Sequence, residues 1–231
     1  MINQAVILAG GKGTRIKEFT SSIPKPMIKI NKIPIIKHLV NYYKSYGVNE
    51  ILIAGGYKYK IIQDYFNNDK SVKVINTGLN TLTGGRIKKL KDQLNNDFFL
   101  TYGDGISDIN LISLEKFYKS KSSLVCISAV NPIPRFGDLI IGKNNLVSSF
   151  NEKGNLNNQW INGGFFIFNK KFLKFIKNDF SVLEQEPLRK ACYLNQLAAF
   201  KHKGYWQCVD TIRDRENLEK YLKNNKLNWQ I

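Results

Sequence analysis

The sequence predicts a three-layer α/β domain built on a mixed, mainly parallel sheet. Two observations carry that expectation. Through the first half, short and uniformly apolar runs alternate with amphipathic stretches, the pattern of strands buried on both faces and joined by helical crossovers. After about residue 125 the runs lie closer together, with shorter connections, which brings antiparallel neighbours into the sheet.

The elements follow in order. Ala5–Ala9 (AVILA) is the first strand and empties into glycines, and Ile35–Tyr46 is a helix stopped by Gly47. Ile51–Ala54 is the second strand, Ile61–Phe66 belongs to a helix, Val72–Ile75 is the third strand, and Arg86–Leu94 is a helix. Phe98–Tyr102 is the fourth strand and ends at Gly103-Asp104-Gly105. Further strands are expected at Val125–Val130, Asp138–Ile141, Val147–Phe150, Gly164–Phe168 and Ala198–Trp206, with helices at Glu186–Tyr193 and about Arg213–Lys223.

A chain of 231 residues that is 43% hydrophobic fits one domain with a sizeable core, and no linker separates independent units. Met1–Gly10 lacks the pattern of a signal peptide, and no run approaches the ~18 apolar residues of a membrane span. Cys126, Cys192 and Cys208 form no CxxC and sit among apolar neighbours. They are expected as reduced core thiols, which suits a cytoplasmic protein. The net charge of +17 is spread over lysine-rich helical faces, so it implies solvation and a weak general attraction for phosphorylated substrates.

Chemistry gathers at a few places. Gly10, Gly11 and Gly13 follow the first strand, where backbone N–H groups approach an anion without Cβ interference. Arg15 adds a fork for two phosphate oxygens. The loop is neither GxGxxG, because Ile16 takes the last glycine position, nor a P-loop. Pro24 and Pro26 fix the backbone around Lys25, so its ammonium can be held in place. Asp104 and Asp210 each stand at a strand end, where two carboxylates can share a hard cation. A turn aspartate beside glycine and a helix N-cap remain the alternatives. Neither His38 nor His202 has the company of a catalytic base.

In order along the chain come Leu8-Ala9-Gly10-Gly11-Lys12-Gly13-Thr14-Arg15, Pro24-Lys25-Pro26-Met27, Thr83-Gly84-Gly85-Arg86 and Thr101-Tyr102-Gly103-Asp104-Gly105. Arg135-Phe136-Gly137, Phe150-Asn151-Glu152-Lys153, Ile161-Asn162-Gly163-Gly164-Phe165-Phe166 and Glu184-Gln185-Glu186-Pro187-Leu188 follow, then Gly204-Tyr205-Trp206-Gln207 leading into Asp210-Thr211-Ile212-Arg213-Asp214. This series resembles the sugar-phosphate nucleotidyltransferases, Rossmann-like enzymes that make nucleotide-activated sugars. It is nearer to the glucose-1-phosphate cytidylyltransferases than to the uridylyl or thymidylyl members. The resemblance spans almost the whole chain.

The resemblance implies a single nucleotidyltransferase domain over residues 1–231, with a nucleotide-binding half to about residue 105 and an acceptor-binding half beyond it. It implies Mg²⁺-dependent transfer of CMP from CTP to a sugar 1-phosphate, with a CDP-sugar and pyrophosphate as products. The same transfer to another hexose, a heptose or a non-sugar phosphate, or from another nucleotide, is the alternative. Leu8, Ala9, Gly10, Gly11, Gly13, Thr14, Arg15 and Gly103 would surround the nucleotide, with Thr81, Gly84 and Arg86 toward its base. Lys25 would contact the reacting phosphates, Asp104 and Asp210 would hold Mg²⁺, and Glu152, Lys153 and Asn162 would meet the acceptor. Arg15, Lys25 and Lys153 would spread the charge of the transition state.

The chain departs from the pattern twice. Gly154 stands where proline usually follows the Glu-Lys pair, and the stretch between Phe66 and Thr77 is shorter than in such enzymes. The implied partners are CTP and a phosphorylated small molecule, with neither nucleic acid nor membrane, and there is room for a homo-oligomer. A basic RNA-binding module would need aromatics interleaved with lysines on one strand face, yet Phe98, Phe99, Phe165 and Phe166 lie in apolar runs.

Overall fold

The computed structural model describes residues 1–132, 137–151 and 159–225. Seven strands form one sheet: β1 (Gln4–Ala9), β2 (Glu50–Gly55), β3 (Val72–Asn76), β4 (Asp97–Tyr102), β5 (Val125–Val130), β6 (Ile161–Asn169) and β7 (Leu197–His202). Their spatial order is β7-β5-β6-β4-β1-β2-β3. Every pairing is parallel except the two made by β6, which runs antiparallel to β4 and to β5. The predicted mixed, mainly parallel sheet is therefore present.

The strands alternate their apolar side chains between two covered faces. Ala5, Ile7, Ile53, Phe99 and Phe165 point into one cluster with helices α1 (Ile35–Ser45), α4 (Leu111–Lys119) and α6 (Ile212–Asn224). Val6, Leu8, Leu52, Leu100 and Phe166 point into the other, with α3 (Thr83–Lys89) and α5 (Glu186–Tyr193). Helix α2 (Tyr59–Tyr65) joins β2 to β3 and buries Ile62 in the first cluster. Covering both faces removes the sheet from water and supplies the hydrophobic driving force of the fold.

Three expectations need correction. The run Ala198–Trp206 is two strands: the chain leaves the main sheet after His202, and Trp206–Cys208 pairs instead with Gly105–Ser107 as an antiparallel ribbon. Gly204 marks the break, because a Cβ there would strike the side chains of Asp108 and His202. The helix expected at Arg86–Leu94 begins at Thr83 and gives way after Lys89 to a 3₁₀ turn at Lys91–Gln93. Of the three cysteines only Cys126 is buried; Cys192 is exposed and Cys208 half-buried. Helix α5 turns Pro187, Leu188 and Ala191 inward, and that stripe excludes Cys192.

A second ribbon, Asp138–Ile141 with Val147–Asn151, precedes β6 and leaves Leu139, Ile140, Ile141 and Val147 exposed. No described helix is long and apolar enough to cross a membrane. The four phenylalanines Phe98, Phe99, Phe165 and Phe166 are buried, as their apolar strands require.

Candidate active site

Strand order reverses at β1, whose neighbours β2 and β4 lie on opposite sides of it. Loops leaving the carboxyl ends of such strands splay apart and open a crevice. Here the crevice is a cleft of about 470 Å³. Leu8, Ala9, Gly10, Gly11, Gly13, Thr14, Lys25, Thr81, Arg86, Gly103, Asp104 and Asp210 all line it. A larger cleft of about 640 Å³ beside Gly56–Ile61 holds none of the predicted residues.

Asp104 and Asp210 meet through the short ribbon. Gly105 is paired with Cys208, and the amide of Val209 donates to the carbonyl of Asp104 at 2.9 Å. The N-cap alternative for Asp210 does not apply, since Thr211 caps α6 in a capping box with Asp214. The Asp214 carboxylate accepts from the amides of Asp210 and Thr211, at 3.0 and 2.9 Å. The Asp210 carboxylate is thus not spent on the helix end and faces the cleft.

Lys25 stands between the two acids. Its Nζ donates to Asp104 Oδ2 at 2.6 Å and to Asp210 Oδ1 at 2.7 Å. The residue is only 9% exposed, held in a 3₁₀ turn with prolines on both sides. Burial is the largest single influence on the ammonium and lowers its pKa. The charges and hydrogen bonds of Asp104 and Asp210 together outweigh it, so the pKa lies above the ordinary lysine value.

Arg86, expected toward the base of the nucleotide, lines the cleft but turns its hydrogen bonds to the chain itself. Its guanidinium donates to the carbonyls of Gly10, Gly55 and Gly78 at 3.0, 3.1 and 2.8 Å, and to Thr77 Oγ1 at 2.6 Å. Burial lowers its pKa. Thr81 is buried and gives its hydroxyl to the Thr77 carbonyl at 2.6 Å. Gly84 lies behind the cleft wall, where its amide donates to Ser181 O at 2.9 Å and a Cβ would collide with that carbonyl.

Arg15 is the middle residue of a short turn, Thr14–Ile16, whose first residue lines the cleft. Asn162 sits at the start of β6 and reaches Tyr102 Oη at 3.4 Å. Glu152 and Lys153 lie outside the described residues, as do Arg135, Phe136 and Gly154.

Sequence reasoning assigned no role to Tyr102, Thr83 and Glu184, which also line the cleft. The Tyr102 hydroxyl donates to Glu184 Oε1, and Thr83 Oγ1 donates to Glu184 Oε2 at 2.9 Å. Burial, then the Glu184 carboxylate, pushes the Tyr102 phenol well above its ordinary range, so it remains a donor. The Tyr102 ring fits because β6 bulges at Gly164, which has φ +74° and presses against that ring. The signal for Glu184 was its motif, Glu184–Leu188, which carried a resemblance but no role.

Among the described residues no group of three or more His, Cys, Asp or Glu forms a metal site. Asp104 and Asp210 nevertheless converge on one cation, the Lys25 ammonium. Two carboxylates at that spacing suit a hard dication that takes its remaining ligands from water and phosphate oxygens.

The family model for nucleotidyl transferase matches residues 4–224. The glucose-1-phosphate cytidylyltransferase of Salmonella typhimurium is 35% identical over 254 aligned positions, covering 98% of each chain. The alignment is longer than the present chain of 231 residues, as a shortened segment requires. The D-glycero-alpha-D-manno-heptose 1-phosphate guanylyltransferase of Campylobacter jejuni is 34% identical, covering 79% of this chain and 81% of its own. Among solved structures, HddC from Yersinia pseudotuberculosis superposes with a TM-score of 0.74 at 29% identity, covering 96% of this chain and all of that one.

Proposed function

The chain belongs to the nucleotidyl transferase family, and from that premise we propose that it transfers CMP from CTP to glucose 1-phosphate, releasing pyrophosphate and a CDP-sugar. The full-length identity to a glucose-1-phosphate cytidylyltransferase carries the choice of substrates. An oxygen of the acceptor phosphate attacks the α-phosphorus of CTP; one P–O bond forms, and the bond to the leaving pyrophosphate breaks. A sugar phosphate is already anionic at neutral pH, with its second pKa near ~6, so no side chain has to remove a proton from the nucleophile.

The chain's own residues supply position and charge. The glycine loop after β1 cradles the triphosphate, with Lys25 and Arg15 as the cations that neutralise charge shifting toward the leaving group. Asp104 and Asp210 would hold Mg²⁺, which when bound would neutralise charge on the reacting phosphates. Tyr102 and Glu184 line the cleft, with Asn162 against the Tyr102 hydroxyl, and acceptor hydroxyls find partners there. Lys153 meets the acceptor phosphate.

The test is a pyrophosphate-release assay of four nucleoside triphosphates against a panel of sugar 1-phosphates. CTP with glucose 1-phosphate should give the highest kcat/KM, and UTP should fall about 100-fold below CTP, because cytosine offers an amino donor where uracil offers a carbonyl. Comparable rates for CTP and UTP would refute the base assignment. A second reading, guanylyl transfer to a heptose 1-phosphate, is favoured by the identity to the Campylobacter enzyme; preferential turnover of GTP would establish it.

A further inference from the structure

We infer that Arg86 is a positioning residue: its guanidinium sets the plane of the Gly10–Gly11 peptide so that the Gly11 amide faces the triphosphate. The inference rests on the nucleotide reading of the cleft. Arg86 was expected to meet the nucleotide itself, but its hydrogen bonds go elsewhere. They reach the Gly10 carbonyl at the end of β1, the Gly55 carbonyl at the end of β2, and Thr77 and Gly78 after β3. One planar, multidonor cation therefore ties together the carboxyl ends of three neighbouring strands. A lysine, with a single point of charge, could not span them.

The consequence for the loop follows from peptide geometry. The chain contains no cis bonds, and in a trans peptide the C=O and the N–H of the next residue point in opposite directions. The Gly10 carbonyl is fixed from one side by Arg86 Nη2 at 3.0 Å and by the Tyr57 amide at 3.1 Å. The Gly11 N–H therefore points the other way. Gly11 lines the cleft, so that N–H is the anion donor the loop offers.

The glycines at 10 and 56 belong to the same device. A Cβ at Gly10 would lie inside the guanidinium, and one at Gly56 would press on both the guanidinium and the Gly10 carbonyl. These glycines are thus required as much by the arginine beneath them as by the ligand above. The described partners of Arg86 are carbonyls and a hydroxyl, none a carboxylate. Its charge is left to act on the cleft.

The experiment is calorimetric titration of Arg86→Ala and wild type with CTP and, separately, with inorganic tripolyphosphate, which has no base. Acting through the loop, the substitution should weaken both ligands by the same factor, about tenfold or more. Millimolar guanidinium should restore that loss, and methylammonium should not. A loss confined to CTP would mean that Arg86 touches the base and would overturn the inference, as would unchanged binding of both. Wild type that binds neither ligand would remove the nucleotide reading itself, and this inference with it. If Arg86→Ala does not fold, Arg86→Lys replaces it: parallel losses uphold the inference, and unequal ones overturn it.

Discussion

Lys25 and Asp104 are joined by a 2.6 Å hydrogen bond between Nζ and Oδ2, and the same ammonium binds Asp210 at 2.7 Å. One side chain therefore occupies, with a single positive charge, the place where two carboxylates would receive a dication. Like charges that close need a cation between them. Were Mg²⁺ held by the two acids, the Lys25 ammonium would have to give up that place.

Removing the lysine should therefore help the metal bind alone. Lys25→Met should tighten Mn²⁺, titrated without nucleotide and followed by electron paramagnetic resonance, by about tenfold or more, since two unpaired carboxylates then face the site. Turnover should fall in the same variant because the phosphates lose their cation. Unchanged or weaker Mn²⁺ binding would show that the ammonium does not compete with the metal.

Asp104→Asn and Asp210→Asn each remove one ligand charge at nearly constant shape. Turnover at limiting Mg²⁺ should drop by about 100-fold or more, the scale of several kcal/mol of charge stabilisation. Circular dichroism should stay that of the wild type. Near wild-type turnover in either variant would take that residue out of the metal site.

A substitution at Lys153 tests which of the two substrates it meets. Lys153→Ala should raise the acceptor KM and lower kcat by about tenfold, the worth of a charged hydrogen bond. CTP binding measured alone should stay within about twofold. A collapse of CTP affinity with an unchanged acceptor KM would move Lys153 to the nucleotide side.

His38 gives the fold a pH dependence of its own. It is 3% exposed, its Nε2 lies 3.2 Å from the Ile30 carbonyl, and Nδ1 has no partner among the described residues. Burial lowers its pKa below the ordinary value, with the bond to Ile30 opposing in part. Below about pH 6.5 the unfolded chain takes up a proton that the folded chain refuses, so stability is lost as pH falls. Thermal unfolding between pH 7.5 and 5.5 should show a smaller decline for His38→Leu than for wild type. Parallel curves would assign the decline to other groups.

Much of this was legible in the sequence because it is local. A strand emptying into glycines, two prolines around Lys25 and an acid between Gly103 and Gly105 state their conformations within a few residues. What escaped was decided at a distance. Helix α4 was not anticipated, although Leu111, Leu114 and Tyr118 have helical spacing and Asn110 caps it through the Ser113 amide at 2.9 Å. By resemblance Arg86 is expected toward the base of the nucleotide. Only the alignment of three strand ends shows that its hydrogen bonds go to carbonyls. Tyr102 and Glu184 meet only because α3 and the chain before α5 pack side by side.

The reversed direction of β6 has a consequence for how such an enzyme changes its acceptor. The parallel strands present their carboxyl ends to the cleft, but an antiparallel strand presents its beginning: Ile161 lies beside Val130, and Phe165 beside Thr101. The ribbon Asp138–Ile141 with Val147–Asn151 belongs to the connection from the end of β5 to the start of β6, so that connection leaves and re-enters the sheet at the edge where the parallel strands end. Its two attachment points are neighbouring strands of the sheet, while the triphosphate loop hangs from the other side. If that connection carries acceptor preference, exchanging it between family members should retarget the acceptor and leave nucleotide choice intact.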